Sequence, residues 1–394
     1  MAEPYWHIGY VVATDEADDK TMMKFRDQFV NALRDQYNLK ADTDYKLVRF
    51  KPGADETFVL PGKSRRTARR GSDPRWRDLD AQLTEWLRAP TELSPDDIRR
   101  IVVILDTSAI STVWNWASGQ GGVPAVLAIS HNPTAHGLKA LEAPGNSKGT
   151  TGIVASTAEH VWTRLELIKQ VTNATKVIVL YFPYTNGLKE AEYHYKANGE
   201  QEGQLACAAA ALGVELVPCK VTKTVESDFK AELDSQLDNA IKQVSDARKA
   251  LYLVSHPRLA YFSKSIAQAA WEKKLWGIYP YRKFTLGKDD DDHLGEEGGL
   301  MSYGANPFAM AARVAPYIAR IMRFGGTPPT KTQQQLAAFA ETMPMEGPTQ
   351  MELVLNQKAA DHLQTGYTLP TNLLPATALN AVDLWRPTKD TGTL

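Results

Sequence analysis

Short apolar runs alternate with amphipathic stretches along most of this chain, and that alternation limits its fold more than any other feature. The runs fall at His7 to Ala13, Tyr45 to Phe50, Ile101 to Leu105, Ala125 to Ile129, Gly152 to Ala155, Lys176 to Tyr181, Val214 to Val221, Ala250 to Val254 and Gly277 to Tyr279. Each has the length of a strand, and nearly all are continuously apolar, the pattern of strands buried on both faces of a parallel sheet. Between them Phe25, Phe29, Leu33 and Tyr37 recur every four residues, as do Phe229, Leu233, Leu237 and Ile241, so each set lines one face of a helix. Further helices are expected over Asp80 to Leu87, Ala158 to Val171, Gln201 to Leu212, Lys264 to Lys274 and Pro307 to Phe324. The fold class this implies is α/β: parallel sheets covered by helices on both faces.

At 394 residues the chain is too long for one ordinary domain. The order of elements predicts two Rossmann-like α/β lobes, residues 5–150 and 157–298, with 300–330 and the C-terminal tail completing the first. Gly298 to Tyr303 reads as a strand returning toward the first lobe. Residues 325–348, rich in Thr, Pro, Gln and Met, read as a linker before a last segment at 349–394. Lobes joined by a short multi-strand hinge can close on a ligand held between them.

Composition removes several functions. Lys and Arg total 45 against 46 Asp and Glu, so the whole molecule has no attraction for nucleic acid. No run approaches the roughly 18 to 20 apolar residues of a membrane span. Met1 to His7 lacks the basic stretch and apolar core of a secretory signal, which fits either a cytosolic protein or a chain that begins near a mature end. Cys207 and Cys219 are too few for a disulfide framework and lack metal-ligand spacing. Seven cations between Lys63 and Arg77 form a basic loop, open to reading as a solvated insertion, an anion gate or a docking patch. The acidic stretch Asp289 to Glu297 lacks the D-x-D-x-D-G order of a calcium loop. No G-x-G-x-x-G follows the first strand, and Walker, G-x-S-x-G and H-E-x-x-H motifs are absent. Neither an enzyme nor a cofactor or metal is expected.

The loops after the strands carry short hydroxyl and amide side chains beside aromatic rings, the orienting hydrogen bonds and apolar wall that a small polar organic ligand requires. Open α/β sheets bind ligands at those carboxyl ends. The candidate ligand-binding residues are Thr14 and Asp15 after the first strand; Asp106, Thr107, Ser108 and Trp114; and Ser130, His131 and Asn132. The second lobe adds Tyr181, Tyr184 and Asn186 after one strand and Ser255 and His256 after another. Thr157 and Tyr303 join them near points where the chain is expected to cross between the lobes.

Pro124 through Pro133 (PAVLAISHNP), with Gly137-Leu138, Leu141 to Gly145 and Thr151-Gly152, resembles a long motif of the ABC-transporter substrate-binding proteins of the tryptophan/tyrosine-binding type. Gly298 to Asn306, Pro348 to Asn356 and Gly366 to Leu374 are similar to that family's closing segment, so the resemblance covers most of Trp6 to Leu374. It implies a type I periplasmic-binding-protein fold, no catalysis, a small-molecule ligand, permease subunits in the inner membrane as partners, and a monomer. It further implies export or lipid anchoring, with Ala2-Glu3-Pro4 as a mature start. A cytosolic ligand sensor or regulator on the same fold, and an aromatic amino-acid binder, are the alternatives.

Two departures bear on the ligand. Asn132 stands where the family usually has Asp, and His256-Pro257 where amino-acid-binding members often have Asp-Asn. Those carboxylates are the natural partners of a buried α-ammonium group. An amide and an imidazole instead donate to anionic or carbonyl oxygens. The expected ligand is therefore aromatic or planar, bears carboxylate or carbonyl oxygens, and is sandwiched by Trp114, Trp116, Tyr181 or Tyr184. The basic loop would add attraction for it.

Overall fold

The computed structural model describes residues 4–11, 20–50, 74–88, 93, 97–105, 113, 116–117, 122–131, 149–156, 158–182, 197–198, 201–202, 204–223, 225–255, 259–260, 262–285, 298–348, 351–369 and 382–385. The chain divides into two compact units, Met1–Ala155 with Pro307–Pro348, and Ser156–Asn306 with Thr349–Leu394. It passes from one to the other three times.

The first unit is built on β1 (Trp6–Val11), α1 (Lys20–Tyr37), β2 (Tyr45–Phe50), α2 (Pro74–Arg88), β3 (Arg99–Ile104), β4 (Ala125–His131) and β5 (Thr150–Ser156). Its five strands lie in the order β2-β1-β3-β4-β5, with β1 parallel to β2 and β3, and β3 parallel to β4. All six residues of β1 are buried, whereas β2 at the edge is largely part-exposed. Continuous apolar sequence thus goes to strands covered on both faces. Phe25, Phe29 and Leu33 put one face of α1 into the core, and Phe25 meets Phe308 with ring centroids 5.3 Å apart.

The second unit continues with α3 (Ala158–Thr172), β6 (Lys176–Tyr181), the short strands β7 (Ala197–Asn198) and β8 (Gln201–Glu202), and α4 (Gln204–Leu212). Next come β9 (Glu215–Lys220), α5 (Glu226–Ile241), β10 (Ala250–Leu253), α6 (Ser263–Glu272), β11 (Trp276–Tyr279) and β12 (Met301–Ala305). Then α7 (Pro307–Gly325) and α8 (Gln333–Thr342) return to the first unit, while β13 (Met351–Leu355), α9 (Gln357–Leu363) and β14 (Val382–Trp385) belong to the second. The second unit's main sheet has the order β14-β13-β12-β11-β10-β6-β9, parallel except that β13 runs antiparallel to β12. Its stretch β9-β6-β10-β11-β12 repeats the order of the first sheet, counting strands by appearance: second, first, third, fourth, fifth. Pro218 is tolerated in β9 because that strand is at the edge. Phe229, Leu233 and Leu237 of α5 pack with Ile178, Leu180, Leu251 and Leu253 on one face of the sheet.

Two expectations about the late chain are corrected. Composition marks 325–348 as a linker, but this stretch holds α8, started by a capping box: Thr332 Oγ1 accepts the Gln335 N–H at 3.2 Å and Gln335 Oε1 accepts the Thr332 N–H at 2.9 Å. Gln333 then pairs with the backbone of Arg100 at 3.0 and 2.5 Å, tying the helix to β3. The returning strand and the tail also do not complete the first lobe. β12 pairs with β11 and β13, and β13 with β14, in the second unit's sheet, so only α7, α8 and the residues up to Pro348 return.

The glycines in the motif segments have a backbone reason. A Cβ on Gly304 would lie 1.9 Å from the Pro280 carbonyl oxygen, and one on Gly152, whose φ is +125°, would lie 2.2 Å from that of Leu127. No side chain fits at either contact.

The amino ends of the second unit's strands are closed by polar and aromatic cross-links. Arg248 lies over the rings of Trp276 (5.0 Å) and Tyr367 (4.5 Å), and both Arg248 Nη1 and Tyr367 Oη donate to Val171 O. Trp271 and His362 stack at 3.9 Å. Asp246 accepts from both the N–H and the hydroxyl of Thr175 and from the N–H of Lys176. Burial works against its charge, but these bonds outweigh it and hold the carboxyl below the ordinary value of 3.8. A depressed folded-state value stabilises the protein above that of the unfolded chain and loses the stabilisation as pH falls. Asp246→Ala is therefore expected to lower the melting temperature at pH 7, with a gap to wild type that narrows below pH 3.8. A gap unchanged in acid would show that the charge of Asp246 contributes nothing.

Candidate functional site

In a doubly wound sheet, the crevice for a ligand opens outside the carboxyl ends of the strands, where the strand order reverses. In the first unit that point lies between β1 and β3, in the second between β6 and β10. The last main-chain bonds before each are Leu105 N to Val11 O at 3.1 Å and Val254 N to Leu180 O at 3.1 Å.

Most residues expected at these points lie outside the described residues: Thr14, Asp15, Asp106, Thr107, Ser108, Trp114, Asn132, Thr157, Tyr184, Asn186 and His256. Ser130 and His131 are the last two residues of β4, with only their backbone described. Tyr181, Ser255 and Tyr303 are placed with their side chains.

Those three divide between the two faces of the second sheet. Ile178, Leu180 and Phe182 point into the α5/α6 core, so Tyr181, alternating with them, points to the opposite face. It is half-buried, and that burial pushes its phenol above the ordinary value, with Cys219 adding to the rise. Tyr303 is on β12, 3% exposed, and its ring meets that of His160 edge-on at 6.3 Å. His160 belongs to the first turn of α3, which packs on β10, β11 and β12. Ser255 belongs to the other face: its hydroxyl is 2.6 Å from that of Tyr281, a ring packed against the α5/α6 core.

One aromatic candidate is corrected. Trp116 is not a free ligand wall: it is 3% exposed, packs with Leu83, Trp86 and Val113, and donates from Nε1 to Thr84 Oγ1 at 3.2 Å. An indole satisfied inside a core is unavailable for stacking.

Strand-end reasoning misses Arg164. It lies on α3, 2% exposed, and its Nη1 donates at 3.1 Å to the carbonyl of Leu253, the last residue of β10. Its guanidinium lies 4.9 Å over the ring of Tyr252. The sequence carries a signal for it. Val161, Leu165 and Ile168 make the buried stripe of α3, and Arg164 sits on that stripe, where a cation is out of place.

Among the described residues, no group of three or more His, Cys, Asp or Glu could hold a metal ion, and no helix is long and apolar enough to cross a membrane.

No family model and no curated protein matches the chain. Solved structures do match over nearly its whole length. An ABC domain in complex with L-Trp from Streptococcus pneumonia aligns with a TM-score of 0.61 at 14% identity, covering 94% of this chain and 97% of that one. A ligand-free, open substrate-binding protein with adhesive properties from Clostridium difficile aligns at 0.57 and 14% identity, covering 93% and 97%. A periplasmic ribose ABC transporter structure from Conexibacter woesei aligns at 0.50 and 10% identity, covering 91% and 94%. At such identities the likeness is one of fold, and the fold is that of type I periplasmic binding proteins.

Proposed function

We propose that this chain is the solute-binding protein of an ABC importer, working outside the cytoplasm as a monomer that delivers a small ligand to permease subunits. The observation that carries this reading is the repeated strand order, which gives each unit a switch point of its own. Around the second switch point stand a half-buried tyrosine, a serine paired with a tyrosine, and a buried guanidinium. These groups are of the kind that orient and enclose a polar planar molecule. Asn132, which follows β4, and His256, which follows β10, are the strand-end residues we propose as further ligand contacts.

The ligand we propose is aromatic or planar, with carboxylate or carbonyl oxygens. The Streptococcus pneumonia structure holds L-Trp, yet here Asn132 and His256 stand where carboxylates would neutralise an α-ammonium group. Calorimetric titration with planar organic acids, and separately with free tryptophan and tyrosine, tests this. An acid is expected to bind one per chain. Sub-micromolar binding of tryptophan or tyrosine, with none of the acids, would overturn the ligand class.

A further inference from the structure

We infer that Arg164 receives the carboxylate of the ligand, an assignment that rests on reading the chain as a binding protein. Its place comes first. The Nη1 bond to Leu253 O sets the guanidinium at the carboxyl end of β10, and β6 is the neighbouring strand there, so the cation stands at the second unit's switch point. Tyr303 and His160, on β12 and α3, and Tyr181, at the end of β6, belong to the same face of the sheet.

The second part is charge. Arginine does not deprotonate in proteins, so it carries its full charge at 2% exposure. A buried ion normally has a counter-ion, because desolvation is otherwise uncompensated. Among the described residues no carboxylate pairs with Arg164. Glu166, on the same helix, is two residues on and does not face it, and Glu166 Oε1 accepts from Gln170 instead. What Arg164 does have is one carbonyl and the face of Tyr252.

The third part is geometry. With Nη1 engaged, Nε is buried without a hydrogen-bond partner among the described residues. A guanidinium edge that includes Nε is the fork that fits the two oxygens of a carboxylate. A cross-link between α3 and β10 would need only the Leu253 bond. The unused edge and the unmatched charge are what an incoming anion completes.

The test uses the full chain, wild type and with Arg164→Met or Arg164→Lys. Melting is followed without additive and with benzoate, 4-hydroxybenzoate, indole-3-acetate, their primary amides, or inorganic phosphate, and compounds that raise the melting temperature are titrated by calorimetry. Unliganded Arg164→Met is expected to melt at or above wild type, since it removes a buried unmatched charge. A carboxylate is expected to stabilise wild type and to bind Arg164→Met roughly ten- to hundredfold more weakly. Arg164→Lys, which keeps the charge but loses the fork, is expected to fall between them. The matched amide should not distinguish the variants.

An Arg164→Met protein that melts well below wild type would make the guanidinium a structural cross-link and overturn the assignment. So would equal affinity of both proteins for the acid. An amide that binds wild type as tightly as its acid would overturn it too, while leaving a binding protein in place. Stabilisation by phosphate alone would overturn the carboxylate. Silence across the whole panel would overturn the ligand class and this assignment together.

Discussion

Gly152→Ala is expected to lower stability by about 2 to 6 kcal/mol, combining roughly 1 to 3 for a side chain in a glycine-only backbone region with roughly 1 to 3 for the clash. The new Cβ would sit 2.2 Å from Leu127 O and 2.5 Å from Leu127 N, atoms of the neighbouring strand that cannot rotate away. Much depends on this residue. Gly152 O accepts from Glu346 N at 3.0 Å, Glu346 O accepts from Val154 N at 2.9 Å, and Thr151 Oγ1 donates to Met343 O at 3.0 Å. Arg313 then pairs with Glu346 and donates from Nη1 to Gly347 O at 2.9 Å. Pushing β5 from β4 would disturb the join between the first unit's sheet and the segment that returns to it. Total stabilities are only about 5 to 15 kcal/mol, so much of the chain is expected to be unfolded or insoluble. Gly213→Ala is the control: its φ is +63° but no atom of the described residues lies within 4 Å of the added carbon, so about 1 to 2 kcal/mol is expected. Equal urea midpoints for the two variants would remove the close approach as the reason for Gly152.

The other large effect is on affinity. Asn132→Ala and His256→Ala are each expected to weaken ligand binding by roughly 1 to 3 kcal/mol, because each is assigned a hydrogen bond to a buried oxygen of the ligand. One follows β4 in the first unit and the other follows β10 in the second. In the double variant the losses should add to within about half a kcal/mol if the two residues act independently. Melting temperatures without ligand should stay near wild type, which separates lost contacts from lost structure. If neither substitution changes affinity for a ligand that binds wild type, the assignment of these residues is wrong.

The fold was legible because parallel strands buried on both faces leave continuous apolar runs. Tyr45–Phe50 and Lys176–Tyr181 have the same ends in sequence and structure, and the other runs differ by one or two residues at one end or both. Non-local pairing was not legible. Nothing in Gly298 to Tyr303 tells which sheet the strand joins, and β12 enters the second through β11 and β13. The helix α8 was hidden by a Thr, Pro and Gln composition, although the spacing of Thr332 and Gln335 is that of a capping box.

The site was harder to read for a physical reason. Sequence shows which residues follow a strand, but the pleat decides which face each one meets. It sends Phe182 into the core and leaves Tyr181 on the opposite face. Trp116 was misread because an indole looks the same in a core and in a binding wall until its burial is known. Arg164 was missed because attention to strand ends overlooks the helix laid across them, even though a cation on an apolar stripe is visible in the sequence.

Binding without turnover is the central claim, and native mass spectrometry of the protein as purified tests it most directly. The expected result is one small-molecule adduct per chain, released on unfolding, that rebinds the refolded protein at one per chain and is recovered unchanged after prolonged incubation. A compound that returns chemically altered, or a chain that neither carries nor rebinds any small molecule from extracts of its host, would contradict it.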